Sequence, residues 1–241
     1  MRKLVLAMVL VVAFAGLTMA QVLNSSHDLS IGSGGPSQSN TEQMCVFCHT
    51  PHDAIVVGTV VAPLWNHELP TAAVTYPIYG QAESATMSVS PAALSAAAPT
   101  VSILCMSCHE GTIAVSSLFN DPNDIGVDPT MVPGANMTAG GLLQNSPALG
   151  NDLTNDHPVN FNYELLAIAE PTAFQPVTPG APNTVVNGAI TLPLFAEGTG
   201  GGNPDMGIQC ATCHDPHDGP NDFMRGSMAD SALCTACHID K

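Results

Sequence analysis

The chain has 241 residues, with 20 acidic against four basic side chains and a formal net charge of −16 at pH 7. Such a charge disfavours nucleic-acid binding, because affinity for nucleic acid comes from neutralising phosphates with Lys and Arg. A basic partner, a metal cation or a mineral surface is compatible with it. Aromatic residues make up only 5% of the chain, so protein side chains alone would give a core with few large groups.

Residues 1–20 predict a secretory signal peptide. Met1-Arg2-Lys3 is basic, an apolar run follows from Leu4 to Leu17, and Thr18-Met19-Ala20 supplies the small residues of a cleavage site. The run is shorter than the roughly 20 apolar residues of a membrane-spanning helix, which is the alternative interpretation. We therefore expect an exported protein with a single domain over residues 21–241 and no membrane span.

The first half of that domain predicts little regular structure. Residues 21–42 are polar and rich in Gly, which indicates a loop. Thr75–Tyr79 is typical of a short strand at the edge of a sheet, since it contains a proline. Ser90-Pro91 is typical of a helix start, so we expect a helix over Ala92–Ala98.

The second half predicts one hairpin and one helix. Asn187-Gly188 lies between Thr184–Val186 and Ala189–Leu192, which is typical of a β-hairpin with a type I′ turn. A Gly-rich run at 198–202 predicts a flexible segment. Met228–Cys237 is the best helix candidate.

Four copies of the motif Cys-x-x-Cys-His organise this domain, and we call them clamps 1 to 4. The cysteines of such a motif bind the vinyl groups of haem as thioethers, and its histidine binds the iron as the proximal ligand. Zinc sites, redox-active dithiols and structural disulfides are the alternatives, but four copies that use all eight cysteines favour c-type haem. The cysteines are Cys45 and Cys48, Cys105 and Cys108, Cys210 and Cys213, and Cys234 and Cys237, and the proximal histidines are His49, His109, His214 and His238.

Four haems would also supply the missing apolar core. The expected fold is therefore that of a multihaem cytochrome c: mostly coil, with a few short helices and a small β-hairpin, wrapped around four stacked haems.

The second axial ligand of each iron decides between electron transfer and chemistry at the metal. Five further histidines could supply it: His27, His52, His67, His157 and His217. Because they outnumber the irons, we expect bis-histidine coordination throughout, with one histidine left over. A Met ligand is an alternative, since the chain contains 11 Met. Bis-histidine coordination predicts an electron-transfer protein and not an enzyme.

Clamps 1 and 3 share an extension, His-x-Pro-His, in which His52 and His217 follow the proximal histidine by three residues. Histidines so spaced project to the same side of the backbone, whereas two axial ligands approach one iron from opposite faces. His52 and His217 should therefore each bind an iron other than that of their own clamp, which would bring haems nearly into contact.

The motif order C-x-x-C-H-T-P-H, L-W-N-H, C-x-x-C-H, D-H-P-V, C-x-x-C-H-D-P-H, C-x-x-C-H resembles exported multihaem c-type cytochromes with doubled motifs. Within them it is similar to the tetrahaem outer-surface cytochromes of metal-reducing microbes, the OmcE type, which polymerise into extracellular filaments. The resemblance implies a continuous stack of bis-histidine haems, self-association, and electron exchange with other cytochromes and with extracellular acceptors such as metal oxides.

The resemblance also implies a set of ligand pairings. His52 would reach the fourth haem, held by His238, of the next subunit, and His217 would serve the second haem, held by His109. His27, His67 and His157 would compete for the first and third haems. Two alternatives stay open: a monomeric periplasmic tetrahaem carrier, and a small haem reductase of nitrogen or sulfur oxyanions.

Overall fold

The computed structural model describes residues 21–33, 35–56, 64–80, 87–122, 128–196, 206–219 and 223–239. The predicted signal peptide and the Gly-rich run at 198–202 lie outside these residues. Within the described ranges, no helix is long and apolar enough to cross a membrane.

Regular structure is short and scattered. The helices are α1 (Val101–His109), α2 (Tyr163–Ala169), α3 (Cys210–Cys213) and α4 (Ala232–Thr235), with 3₁₀ turns at Met44–Phe47 and Ala229–Ser231. The strands are β1 (Gln38–Ser39), β2 (Thr75–Tyr76), β3 (Leu94–Ser95), β4 (Met131–Val132), β5 (Phe161–Asn162), β6 (Val177–Thr178), β7 (Thr184–Asn187), β8 (Ile190–Pro193) and β9 (Gly207–Ile208). They pair antiparallel as β1–β4, β2–β3, β5–β9 and β6–β7–β8. The prediction of a mostly irregular chain with a few short helices is confirmed.

The predicted hairpin is present, with its turn displaced by one residue. Asn187 pairs with Ile190, so the two residues of the turn are Gly188 and Ala189. Gly188 has a φ of 60°, the left-handed conformation that glycine adopts without steric cost. A glycine at the first central position is typical of a type II′ turn, not of the predicted type I′.

The helix predicted over Ala92–Ala98 is wrong. Leu94 is fully buried and belongs to β3, which pairs with the strand predicted near Tyr76. The Ala92 amide donates to the Asn160 carbonyl at 3.2 Å, and the Asn160 side-chain amide returns a bond to the Ala92 carbonyl at 3.0 Å. These long-range contacts override the helix propensity of alanine, and the helix starts only after Pro99.

The helix predicted over Met228–Cys237 is shorter than expected. Asp230 and Ser231 have φ values of 53° and 58°, a left-handed conformation that an α-helix of L-residues does not contain. Regular α-helix is therefore limited to α4.

The buried apolar residues of the described chain form small separate clusters. One contains Val46 and Phe47 of clamp 1, with Cys108 of clamp 2 packed against it. Another joins Met106 of clamp 2 to the fully buried Tyr76. Residues of clamps 1 and 2 are thus part of the buried apolar clusters.

Candidate haem sites

Each clamp lies on one helical turn, which places its cysteines and histidine side by side. Clamp 1 uses the 3₁₀ turn at Met44–Phe47, clamp 2 the end of α1, clamp 3 begins with α3, and clamp 4 begins in α4. All eight cysteines are free thiols. In three clamps the histidine amide donates to the first cysteine carbonyl: His49 to Cys45 at 2.8 Å, His214 to Cys210 at 3.1 Å and His238 to Cys234 at 2.9 Å.

Clamps 1 and 2 are neighbours in space, and so are clamps 3 and 4. Burial raises the pKa of the Cys108 thiol, and the nearby Cys48 thiol raises it further. Burial also raises the pKa of Cys213 to about 11, with Cys234 of clamp 4 among the thiols that add to the shift. Thiols influence one another in this way only at short range.

Clamps 2 and 3 are joined directly. The Cys210 thiol and burial raise the pKa of the Cys105 thiol, and the helices that carry these two cysteines, α1 and α3, pack against each other. Beside them, the buried Gln209 side-chain carbonyl accepts from the hydroxyls of Thr100, at 3.0 Å, and Ser102. The Ser102 hydroxyl accepts in turn from the Cys210 amide at 3.0 Å. The four clamps therefore follow one another in space in chain order.

Three proximal histidines each have another histidine opposite them. The distances between ring centroids are 6.0 Å for His49 and His217, 6.2 Å for His109 and His27, and 6.4 Å for His238 and His157. Each metal–nitrogen bond is about 2.0–2.1 Å long, and each ring centre lies farther from the metal than the bonding nitrogen does. Two imidazoles on opposite faces of one metal ion therefore have ring centres about 6 Å apart. The distances in these three pairs match the spacing of two axial imidazoles on one haem iron.

The ring orientation of three of these histidines also fits metal binding. Their Nδ1 atoms face main-chain carbonyl oxygens, so a proton on Nδ1 has an acceptor and the Nε2 lone pair is left for a metal. The contacts are His109 to Pro147 at 2.7 Å, His157 to Pro158 at 3.0 Å and His27 to Pro216 at 3.4 Å.

His27 is held in place although it lies close to the start of the described chain. The Phe223 ring stacks on it, with centroids 4.2 Å apart and an interplanar angle of 21°. Burial lowers the pKa of His27 to about 4, and the neighbouring His109 lowers it further. The ring is therefore neutral at pH 7, which is the form that binds a metal.

These pairings differ from those implied by the resemblance. His217 lies opposite His49 instead of His109, whose partner is His27. His157 lies opposite His238, the position that the resemblance assigned to His52 of a neighbouring subunit.

His67 has different surroundings from the other candidate ligands. It is fully buried, with Nδ1 2.8 Å from the Glu68 carbonyl oxygen and Nε2 3.1 Å from the Ala114 carbonyl oxygen. Burial lowers the pKa of His67, whereas the hydrogen bonds to these two carbonyls act to raise it. Within the described residues it makes no ring contact with a proximal histidine.

His52 and His214 complete the set of nine histidines. Both side chains are exposed, and in the part of the chain described here neither ring contacts another imidazole. Within the described residues, the proximal histidine of clamp 3 thus faces no second imidazole at ligand spacing, and His52 of clamp 1 faces no proximal histidine.

Several residues of these sites were not predicted from the sequence. Gln209 and Ser102 join clamps 2 and 3, and Phe223 supports His27. Of these, only Gln209 could have been singled out from the sequence, since it directly precedes a clamp cysteine. Ser102 and Phe223 reach clamp 3 and His27 only through contacts between distant parts of the chain.

A family model described as "Doubled CXXCH motif" matches residues 204–241, which contain clamps 3 and 4. No curated protein matches the chain at a significant level of similarity. Over its carboxyl-terminal part the chain is thus similar to multihaem c-type cytochromes. The motifs indicate covalently bound c-type haem and electron transfer.

Proposed function

We propose that this protein transfers electrons through four c-type haems, each with two histidine ligands, as a subunit of an extracellular filament. The observation that carries the proposal is the set of three histidine pairs with ring centroids 6.0–6.4 Å apart. When bound, each haem would supply a one-electron iron couple. Two strong protein ligands on an iron leave no open position for a substrate, which favours electron transfer over catalysis.

The order of the clamps supports a continuous electron path. Cys108 packs against the cluster that contains Val46 and Phe47 of clamp 1, and α1, which carries clamp 2, packs against α3 of clamp 3. Cys213 packs against the cluster that contains Ala236 of clamp 4. Haems bound at the four clamps would therefore each lie next to the haem of the following clamp, from clamp 1 to clamp 4.

The filament part of the proposal rests on His52 and His214. We infer that His52 of one copy supplies the second ligand to the iron held by His214 of the next. Such a contact joins two different surfaces, so it repeats from copy to copy and builds a filament unless it closes into a ring.

The surroundings of His52 favour contact with another copy. Large apolar side chains near it are exposed: Val56 by 88%, Leu64 by 49% and Phe119 by 54%. Hydrogen bonds connect Leu64 and Phe119 to the His52 loop: Thr50 N donates to Leu64 O at 2.8 Å, Phe119 N to Asn66 O at 2.7 Å, and Asn120 Nδ2 to Asp53 O at 2.9 Å. An exposed apolar patch with a polar rim is typical of a protein–protein interface.

A second candidate function is a monomeric periplasmic carrier. It is favoured by the contact between His49 and His217, which brings the His-x-Pro-His segments of clamps 1 and 3 together in one chain. In such a carrier, His52 would serve the iron held by His214 of its own chain.

Two alanine variants of the haem-loaded protein separate these functions. His52→Ala and His157→Ala should each remove one distal ligand, so the reduced form of either variant should bind carbon monoxide at one haem. Only His52→Ala should also abolish filaments in negative-stain electron microscopy, because His157 lies beside His238 of its own chain. Filaments of normal length from His52→Ala would contradict the proposed ligand exchange, and monomers from the unaltered protein would favour the carrier.

A further inference from the structure

Phe223 has a backbone conformation that a bulky residue rarely adopts. Its φ of 62° lies in the left-handed region, which is sterically unfavourable for an L-residue with a large side chain. Such strain persists only where the surrounding structure holds it, and it is common at functional sites. Main-chain contacts hold it here: the Phe223 carbonyl accepts from the Asp215 amide at 2.7 Å, and the next residue, Met224, pairs with the clamp histidine His214.

This conformation places the Phe223 ring flat against the imidazole of His27. The ring centroids are 4.2 Å apart and the ring planes differ by 21°. At the edge of the same imidazole, Nδ1 lies 3.4 Å from the Pro216 carbonyl oxygen. An aromatic contact on one face and a polar contact on one edge together fix the plane of the ring, in the way that neighbouring residues orient a metal ligand.

The imidazole opposite His27 is fixed independently. His109 ends α1, and its Nδ1 lies 2.7 Å from the Pro147 carbonyl oxygen. The ring planes of His27 and His109 cross at 62°, whereas those of His49 and His217 differ by only 13°. One chain thus contains a crossed pair and a nearly parallel pair, so the angle in each pair follows from its own local contacts.

The angle between two axial imidazoles changes the electronic structure of a ferric haem. Each imidazole raises the energy of the iron d orbital with which its π system overlaps. Two parallel rings act on the same orbital, whereas crossed rings act on two different orbitals and bring them close in energy. Crossed rings therefore give a low-spin ferric haem an electron paramagnetic resonance signal of the large-gmax type, and parallel rings give a rhombic signal. Crossed rings also stabilise the ferric state less, which raises the reduction potential, one of the properties that a protein tunes through its axial ligands.

We propose that Phe223 is a positioning residue for the second ligand of the clamp 2 haem: its ring holds the imidazole of His27 crosswise to that of His109. This inference rests on the proposed function in that His27 must bind the iron held by His109, and it holds for a filament or a monomer. The crossed arrangement gives this haem a higher reduction potential than parallel rings would.

The test compares electron paramagnetic resonance spectra of haem-loaded proteins. His27→Ala should convert one low-spin haem to high-spin, and the signal that disappears identifies the clamp 2 haem. In the unaltered protein that signal should be of the large-gmax type. Phe223→Leu keeps an apolar side chain but removes the flat ring, so it should shift this signal to a smaller gmax and lower the midpoint potential of the same haem. Phe223→Tyr keeps the ring and should leave both unchanged.

Phe161→Leu is the matched control. Phe161 is buried in the apolar cluster that contains Tyr163 and Leu166, so its substitution should lower thermal stability and leave the clamp 2 signal unchanged. Absence of a high-spin haem in His27→Ala would contradict the ligand pair, and with it the proposed function. One high-spin haem in His27→Ala, together with a rhombic clamp 2 signal in the unaltered protein or a signal that Phe223→Leu does not shift, would overturn the positioning role alone.

Discussion

At the scale of single residues, the nine histidines differ in what faces their ring nitrogens. In His109, His157 and His27 a carbonyl oxygen faces Nδ1 only, which leaves Nε2 for a metal. In His67 both nitrogens face carbonyl oxygens. This contrast favours His67 as the histidine left over from haem ligation.

His67→Phe should therefore lower stability and leave every haem low-spin. A neutral imidazole has a single N–H, so its loss leaves one of the two main-chain carbonyls without a donor, and an unsatisfied buried polar group costs about 1–3 kcal/mol. Thermal unfolding and the electron paramagnetic resonance spectrum measure the two effects. His157→Phe is the matched control, which should give one high-spin haem; a high-spin haem in His67→Phe would contradict this assignment.

At the scale of elements, the contact between α1 and α3 sets the spacing of clamps 2 and 3. Gln209 is 1% exposed. Its side-chain amide donates to the Asn160 side chain at 3.0 Å and to the Ala196 carbonyl at 3.2 Å, while its carbonyl accepts from Thr100 and Ser102. One side chain thus fixes the starts of two haem-binding helices.

Gln209→Leu should lower the free energy of unfolding by about 2–4 kcal/mol, because it leaves several buried groups without partners. Denaturant unfolding of the haem-loaded protein measures the loss. Gln43→Leu is the control: Gln43 is exposed, and among the described residues its side chain makes one hydrogen bond, to the Pro122 carbonyl at 2.7 Å. Equal losses in the two variants would show that the buried network does not stabilise the helix contact.

Elements with a local signal were predictable from the sequence, and those shaped by distant contacts were not. The hairpin was found from Asn187-Gly188, and the clamps from their own spacing. The helix predicted over Ala92–Ala98 failed because Asn160 binds Ala92. The pairing of His217 with His49 was missed for the same reason: it depends on how clamps 1 and 3 fold together, which the motif spacing does not contain.

At the scale of the whole molecule, charge opposes self-association. The chain has a formal net charge of −16, haem propionates would add to it, and like-charged copies repel over about 30 Å at 0.01 M salt but only about 8 Å at 0.15 M. The proposed interface around His52 would rely on apolar side chains and a metal ligand, neither of which salt weakens by screening.

Assembly should therefore increase with ionic strength. We expect longer filaments and a larger sedimenting fraction at 0.15 M than at 0.01 M NaCl, with sucrose of equal osmolarity as the control. Filaments that dissociate as salt rises would show instead that complementary charges hold the copies together.

The most direct test of the central claim is a high-resolution electron cryo-microscopy map of the haem-loaded protein, in which the ligands of every iron are read. The predicted result is four irons with two imidazoles each: His49 with His217, His109 with His27, His238 with His157, and His214 with His52 of the adjacent copy. An iron with an open axial position would contradict the electron-transfer assignment. His52 bound to an iron of its own chain would contradict the filament.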